Sequence, residues 1–418
     1  METNTFHNMG IAPKLIETLD ALKLIEPTPI QRQAIPSAIE GKDIVGIAQT
    51  GTGKTLAFSI PMIQRLAGEA KRGLVLVPTR ELALQAEETI RKIGRSYGIR
   101  TAILIGGASM NRQNDMLDRD PHIVIATPGR LLDHLEQKSI RLNSVGILVL
   151  DEADRMLDMG FWPQIRRIIA VVPKERQTLL FSATLSREIM QLASGHMNLP
   201  VRIEVAPSGT TADKVTQEFF ILRKDEKPRL LEKILTDYRG STIVFTRTKH
   251  GAKKLMRAVT RMGHSAAEIH GNRSLSQRKE ALEGFKTGRY RVLVATDIAA
   301  RGIDVKGIDL VINYDMPTAS EDYVHRIGRT ARAGAAGHAI TFAEPQEKRA
   351  LRDIERLIRK PIPVSQLPEL PPARAQEHVE RDERPRFMPR RPYGSFRGRS
   401  SSGRGGRSSS GFSRGYRR

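Results

Sequence analysis

The stretch GILVLDEAD, residues 146–154, decides the fold. Ile147 to Leu150 are apolar without alternation, as in a strand covered on both faces, and such strands belong to parallel sheets. Asp151, Glu152 and Asp154 follow at once, and carboxylates so close repel one another unless a cation, hydrogen-bond donors or a reaction uses them. Similar runs lie on either side: DIVGIA, LVLVPT, AILIGG, HIVIATP and TLLFSAT all precede residue 185, separated by helix-length amphipathic segments. After VRIEVAPSGTTADK, which reads as a linker around 207–214, the pattern restarts with STIVFT, AAEIHG, RVLVATD, LVINYD and HAITFAE. Two α/β domains in tandem are expected, each a parallel sheet with helices on both faces.

A chain of 418 residues with 39% hydrophobic residues suffices for two such domains. No segment approaches the roughly 20 apolar residues that span a bilayer, and METNTFHNMG lacks the features of an export signal. A soluble cytoplasmic protein without membrane partners is expected. The absence of cysteine excludes disulfides and thiolate metal sites, and the ten histidines show no zinc-binding spacing. The net charge of +22 points to polyanions, above all nucleic acid.

From Pro368 the composition turns to Pro, Gly, Ser and Arg, and residues 385–418 carry ten Arg and no acid. A disordered basic tail over 368–418 is expected. Phe387, Tyr393, Phe396, Phe412 and Tyr416 interleave with the arginines, which suits phosphate pairing with stacking on unpaired bases. A flexible, solubilising tail is the alternative.

AQTGTGKT, residues 48–55, follows a strand and precedes a helical stretch. Ala48, Gln49, Thr50, Gly51, Thr52 and Gly53 form a loop whose glycines let backbone amides turn inward, and the helix start adds positive potential for phosphate. Lys54 is placed for the β- and γ-phosphates of a nucleotide and Thr55 for Mg²⁺. Strands of one parallel sheet end at a common edge, so Asp151 can face Thr55 across that ion. Glu152 is then placed to orient or deprotonate an attacking water.

With these motifs in order, and with PTPIQ, PTREL, GG, TPGR, SAT, VFTRT, ATDIAARGID and HRIGRTARAG, the chain resembles the DEAD-box RNA helicases from about Phe6 to Pro363. The Arg/Gly-rich tail further resembles the RhlE-like bacterial members. The resemblance implies two RecA-like domains, 1–206 with an N-terminal Q motif and 215–367, joined by the linker 207–214. It implies that Gln31 reads the adenine edge and Phe6 stacks on the ring, although Lys23 and Leu24 stand where the family has Gly and an aromatic residue. Ser182 and Thr184 would couple the domains, Arg329 and Arg332 would act as arginine fingers, and Asp304 would touch the ribose. RNA phosphates would be gripped by Thr79, Arg80, Gly106, Gly107, Thr127, Gly129 and Arg130 in the first domain, and by Arg278, Thr296 and Arg301 in the second. Leu275 stands where the family has a Gln.

The implied activity is RNA-stimulated ATP hydrolysis. ATP closes the two domains on a single RNA strand, so short duplexes are unwound locally and non-processively, or RNA–protein complexes are remodelled. A DNA-directed helicase and an ATP-gated clamp or RNA chaperone are the alternatives. Ribosomal or decay assemblies are the expected partners beside RNA.

Overall fold

Continuous β-branched runs become strands because both their faces find helices to cover them. The computed structural model describes residues 5–49, 51–205, 215–300, 308–330 and 337–372. The first sheet contains β1 (Ile44–Ile47), β2 (Arg72–Leu76), β3 (Thr101–Leu104), β4 (Ile123–Ala126), β5 (Val145–Leu150), β6 (Gln177–Ser182) and β7 (Val201–Glu204). The second contains β8 (Val215–Ile221), β9 (Thr242–Phe245), β10 (Ala266–Ile269), β11 (Val292–Ala295), β12 (Leu310–Asn313) and β13 (Gly337–Ala343). Their orders are β3-β4-β2-β5-β6-β1-β7 and β10-β11-β9-β12-β13-β8, and every pairing is parallel. Each sheet separates two apolar clusters, one on each face.

Register sets the site. Leu150 on β5 pairs with Leu180 on β6, and Ser182 on β6 with Ile47 on β1. The chain segments leaving these three strands, starting at Asp151, Ala183 and Ala48, therefore emerge side by side at one sheet edge. In the second sheet Ala295, Phe245 and Asn313 are likewise in register.

Strands β7 and β8 lie outside the apolar runs of the sequence. Both are edge strands, and β7 is mostly open to solvent, so neither needs a fully apolar stretch. The edge of β8 is partly covered from the chain's far end, where Phe219 N donates to Pro363 O at 2.9 Å and Ser365 N to Phe219 O at 2.8 Å. This strap runs past the expected tail boundary at Pro368. Leu370 packs on the apolar cluster beneath β8, and Arg229 donates to the carbonyls of Leu370 and Pro371 at 3.3 and 2.6 Å. The change in composition thus precedes the structural boundary, because Leu370 still finds a surface to bury against. Both sheets belong to the unit Met1–Pro372. The linker 207–214 and the arginine-rich residues 373–418 lie outside the described residues.

Candidate functional site

The loop after β1 turns back through Gly51 and Gly53, at φ +87° and +91°, before the helix Lys54–Leu66. That conformation suits glycine, and at Gly53 a second constraint applies: a Cβ would lie 2.3 Å from Gln31 Nε2. Gln31 donates to Gly53 O at 3.0 Å and accepts from Thr28 N at 2.9 Å. In this state its amide braces the phosphate loop and is not open to a base edge. Lys54 is buried and donates from Nζ to Ala48 O at 3.0 Å, while Thr52 Oγ1 donates to Gln49 O at 2.7 Å. Thr55 is half-buried in the first helical turn. Thr50 lies outside the described residues.

Phe6 is 3% exposed and belongs to the apolar cluster with Met9 and Ile11. Lys23, at φ +58°, occupies the left-handed position just past the helix Pro13–Ala21, and Leu24 packs on the same cluster as Phe6.

The three carboxylates have three different settings. Among the described residues, Asp151 Oδ1 accepts from its neighbour's amide, Glu152 N, at 3.0 Å. Burial raises its pKa to about 6, opposed by Lys54 and reinforced by Glu152 and Asp154. Glu152 sits at φ +52°, a strained backbone for a non-glycine residue. Burial would raise its pKa too, but Arg155, Lys54 and Arg329 outweigh it and hold the group at about 2. Arg155 donates to Glu152 Oε2 at 3.2 Å inside the protein. Asp154 Oδ2 accepts from Ala183 N and Thr184 N at 2.9 Å and from Thr184 Oγ1 at 3.1 Å, and Ser182 O accepts from Ala48 N at 2.9 Å. Asp154 thus ties SAT to the carboxylate loop, and Ser182 ties it to the phosphate loop. All these bonds join elements of the first domain, so any coupling by Ser182 and Thr184 would pass through them.

A buried carboxylate held near pKa 6, with few donors, fits a divalent cation. Among the described residues no group of three or more His, Asp or Glu could cage a metal. An ion at Asp151 and Thr55 would be completed by phosphate and water.

The second domain reaches this edge through the helix Ser320–Ile327 and the residues after it. Arg329, buried, donates to His325 O at 3.2 Å and adds positive charge at Glu152. Arg155 from the first domain lines one small cavity with His325, Arg326 and Arg329 from the second. His325 stays neutral, its pKa lowered to about 3 by burial and by Arg155. Arg326 is a scaffold: it grips Asp297 and Asp315 O, and its guanidinium lies 5.2 Å from the Phe245 ring centroid. Arg332, Asp304 and Arg301 lie outside the described residues.

Most of the expected RNA contacts gather at loops of the first sheet. Thr79 caps the helix Arg80–Gly94, accepting from Leu82 N at 3.3 Å. The Arg80 guanidinium lies so close to Gly106 and Gly107 that a Cβ there would be 3.2 and 2.2 Å from it. Arg130 donates to Ala108 O at 3.1 Å, Thr127 to Leu104 O at 3.5 Å, and Gly129 faces open space. Thr296 follows β11 and is buried.

The Arg278 guanidinium pairs with Glu81 at 2.8 Å, with side chains 8% and 5% exposed. The pair crosses between domains. Burial raises the Glu81 pKa, against the pull of Arg278. Leu275, one turn earlier, packs on the first domain's apolar cluster, which gives a use to the leucine that replaces glutamine. Glu81, Arg155 and His325 carried no role in the sequence reading. The only signal for Arg155 was its helical spacing from Glu152.

Residues 28–192 match the DEAD/DEAH box helicase family and residues 226–334 the helicase conserved C-terminal domain. The ATP-dependent rRNA helicase RRP3 of Candida albicans is 43% identical over 372 residues, 88% of this chain and 70% of that protein. The chain belongs to the DEAD-box helicase family. This DEAD-box protein is an ATP-dependent RNA helicase with two RecA-like domains. It resembles S. cerevisiae Dbp5 bound to RNA and ADP BeF3, with TM-score 0.78 and 30% identity over 86% of this chain and 96% of that one. It also resembles Mss116p bound to ssRNA and AMP-PNP, with TM-score 0.77 and 29% identity over 85% and 78%.

Proposed function

We propose that the helicase works as a two-domain clamp in which ATP and a single RNA strand are gripped by the same closed arrangement. The carrying observation is geometric: Arg155, which pairs with Glu152 of the first domain, lines one cavity with His325, Arg326 and Arg329 of the second. Hydrolysis then requires both domains. Lys54 leaves Ala48 O for the β- and γ-phosphates, and the loop amides bind phosphate oxygens. Mg²⁺, when bound at Asp151 and Thr55, supplies charge neutralisation at those phosphates. Glu152, ionised at neutral pH, orients the attacking water, while Arg329, with Arg332, stabilises charge developing on the γ-phosphate.

Loops at 79–80, 106–107 and 127–130, with Thr296 and Arg301, hold the RNA backbone, so binding ignores base sequence. The Glu81–Arg278 pair and Leu275 join the domains beside that groove. Closure therefore couples ATP and RNA reciprocally. A groove that bends one strand does not hold a regular duplex, so short duplexes open locally and release follows hydrolysis. Gln31 and Asp304 are assigned to the base and ribose, with Gln31 exchanging Gly53 O for the adenine edge.

The proposed divisions are a first domain to residue 206, a linker over 207–214 and a second domain that extends through the strap to Pro372. Action on ribosomal RNA assemblies is the reading supported by its fungal relative's name, and a cytoplasmic location is an expectation of the sequence alone. The RhlE-like placement rests on tail composition alone and gains no support from that relative. Lys54→Ala and Arg329→Ala test the site: each should reduce RNA-stimulated ATP hydrolysis at least a hundredfold, and an undiminished rate in either would overturn the assignment.

A further inference from the structure

Resting on that RNA assignment, a network behind the Gly106–Gly107 loop goes beyond it. The loop connects β3 to the helix Met110–Leu117, whose one buried residue is Gln113, 1% exposed. Gln113 Oε1 accepts from Ile105 N at 3.0 Å. Its Nε2 shares two protons among Ile105 O at 3.2 Å, Ala108 O at 3.3 Å and Ser109 O at 3.2 Å. One side chain thus holds both ends of the glycine turn. A backbone N–H can only donate, so the orientation of this amide is fixed.

His134, 0% exposed on the helix Pro128–Glu136, stands behind it, with Nε2 3.3 Å from Gln113 Oε1. Since that oxygen is an acceptor, His134 Nε2 carries the proton. Nδ1 is then bare and accepts from Ser139 Oγ at 2.7 Å. Burial, aided by Arg130, lowers the His134 pKa and keeps the ring neutral.

Arg130 and Arg80 both rest on the loop so held, Arg130 on Ala108 O and Arg80 against the two glycines. We infer that Gln113, oriented by His134, is a positioning residue for RNA: it fixes the loop 105–109 and thereby aims Arg80 and Arg130 at phosphate before RNA arrives. A fully satisfied buried network is suited to this, because the loop has no alternative arrangement of equal energy.

The test is ATP hydrolysis by the full chain titrated with a single-stranded oligoribonucleotide. Gln113→Glu keeps the shape but cannot donate to the three carbonyls. It should raise the RNA concentration for half-maximal stimulation about tenfold, with RNA-free hydrolysis and the KM for ATP within about twofold. His134→Leu should act similarly, whereas His134→Gln, which can donate from the Nε2 position, should restore most of the affinity. An unchanged RNA half-point in both Gln113→Glu and His134→Leu overturns the inference. So does His134→Gln behaving like His134→Leu, or an equal rise in the KM for ATP.

If the variants do not fold, hydrogen exchange of the wild-type protein without RNA decides. The amide of Ile105 should be strongly protected, and exchange at the rate of open chain would reject a preset loop. A wild-type enzyme that no RNA stimulates would instead defeat the RNA reading itself, and this inference with it.

Discussion

Asp151 and Glu152 are adjacent, equally hidden from water, and shifted in opposite directions. The pKa of Asp151 rises from 3.8 to about 6 and that of Glu152 falls from 4.5 to about 2. Asp151 therefore favours the fold most below pH 3.8, and that contribution is lost as pH rises through 6. Glu152 favours it fully above pH 4.5 and loses that contribution as pH falls towards 2. In the nucleotide-free protein at pH 8, Asp151→Asn should stabilise and Glu152→Gln should destabilise, each by roughly 2–3 kcal/mol. Denaturant unfolding at pH 8 and pH 5 checks this, and shifts of the same sign would contradict it. Both variants should lose ATP hydrolysis. A second prediction concerns Lys23, whose φ of +58° favours glycine. Lys23→Gly should raise the unfolding free energy by about 1 kcal/mol without changing ATP turnover.

At the scale of elements, the helix starting at Arg80 meets the helix starting at Leu275 through Glu81 and Arg278. Removing either partner strands a buried charge, which typically costs about 3–5 kcal/mol. Arg278→Met and Glu81→Met alone should each abolish most RNA stimulation. The double variant should recover part of it, and strictly additive losses would show that the pair does not act as a unit. The central strands were legible in the sequence because continuous apolar runs admit few alternatives. Strands β7 and β8 were not, because an edge strand can carry polar residues. The phosphate loop and carboxylates were legible because their chemistry is local. The bracing of Gly53 by Gln31, the cross-domain use of Arg278 and the burial of Phe6 depend on partners distant in sequence, and no spacing announces them.

At the scale of the whole molecule, the strap 363–372 leads from the second domain into a segment rich in arginine. Deleting 373–418 should lower RNA affinity and flatten its dependence on salt, because phosphate neutralisation by arginine releases counterions. RNA-free ATP hydrolysis should be unchanged. An unaltered salt dependence would separate the tail from RNA binding.

The central claim is that ATP and RNA are held by one closed arrangement of both domains. Steady-state ATP hydrolysis with no nucleic acid, with single-stranded RNA and with DNA of matched sequence tests it most directly. The clamp predicts a low basal rate, strong stimulation by RNA, and little by DNA, which lacks the 2′-hydroxyl. Equal rates in all three conditions would contradict it.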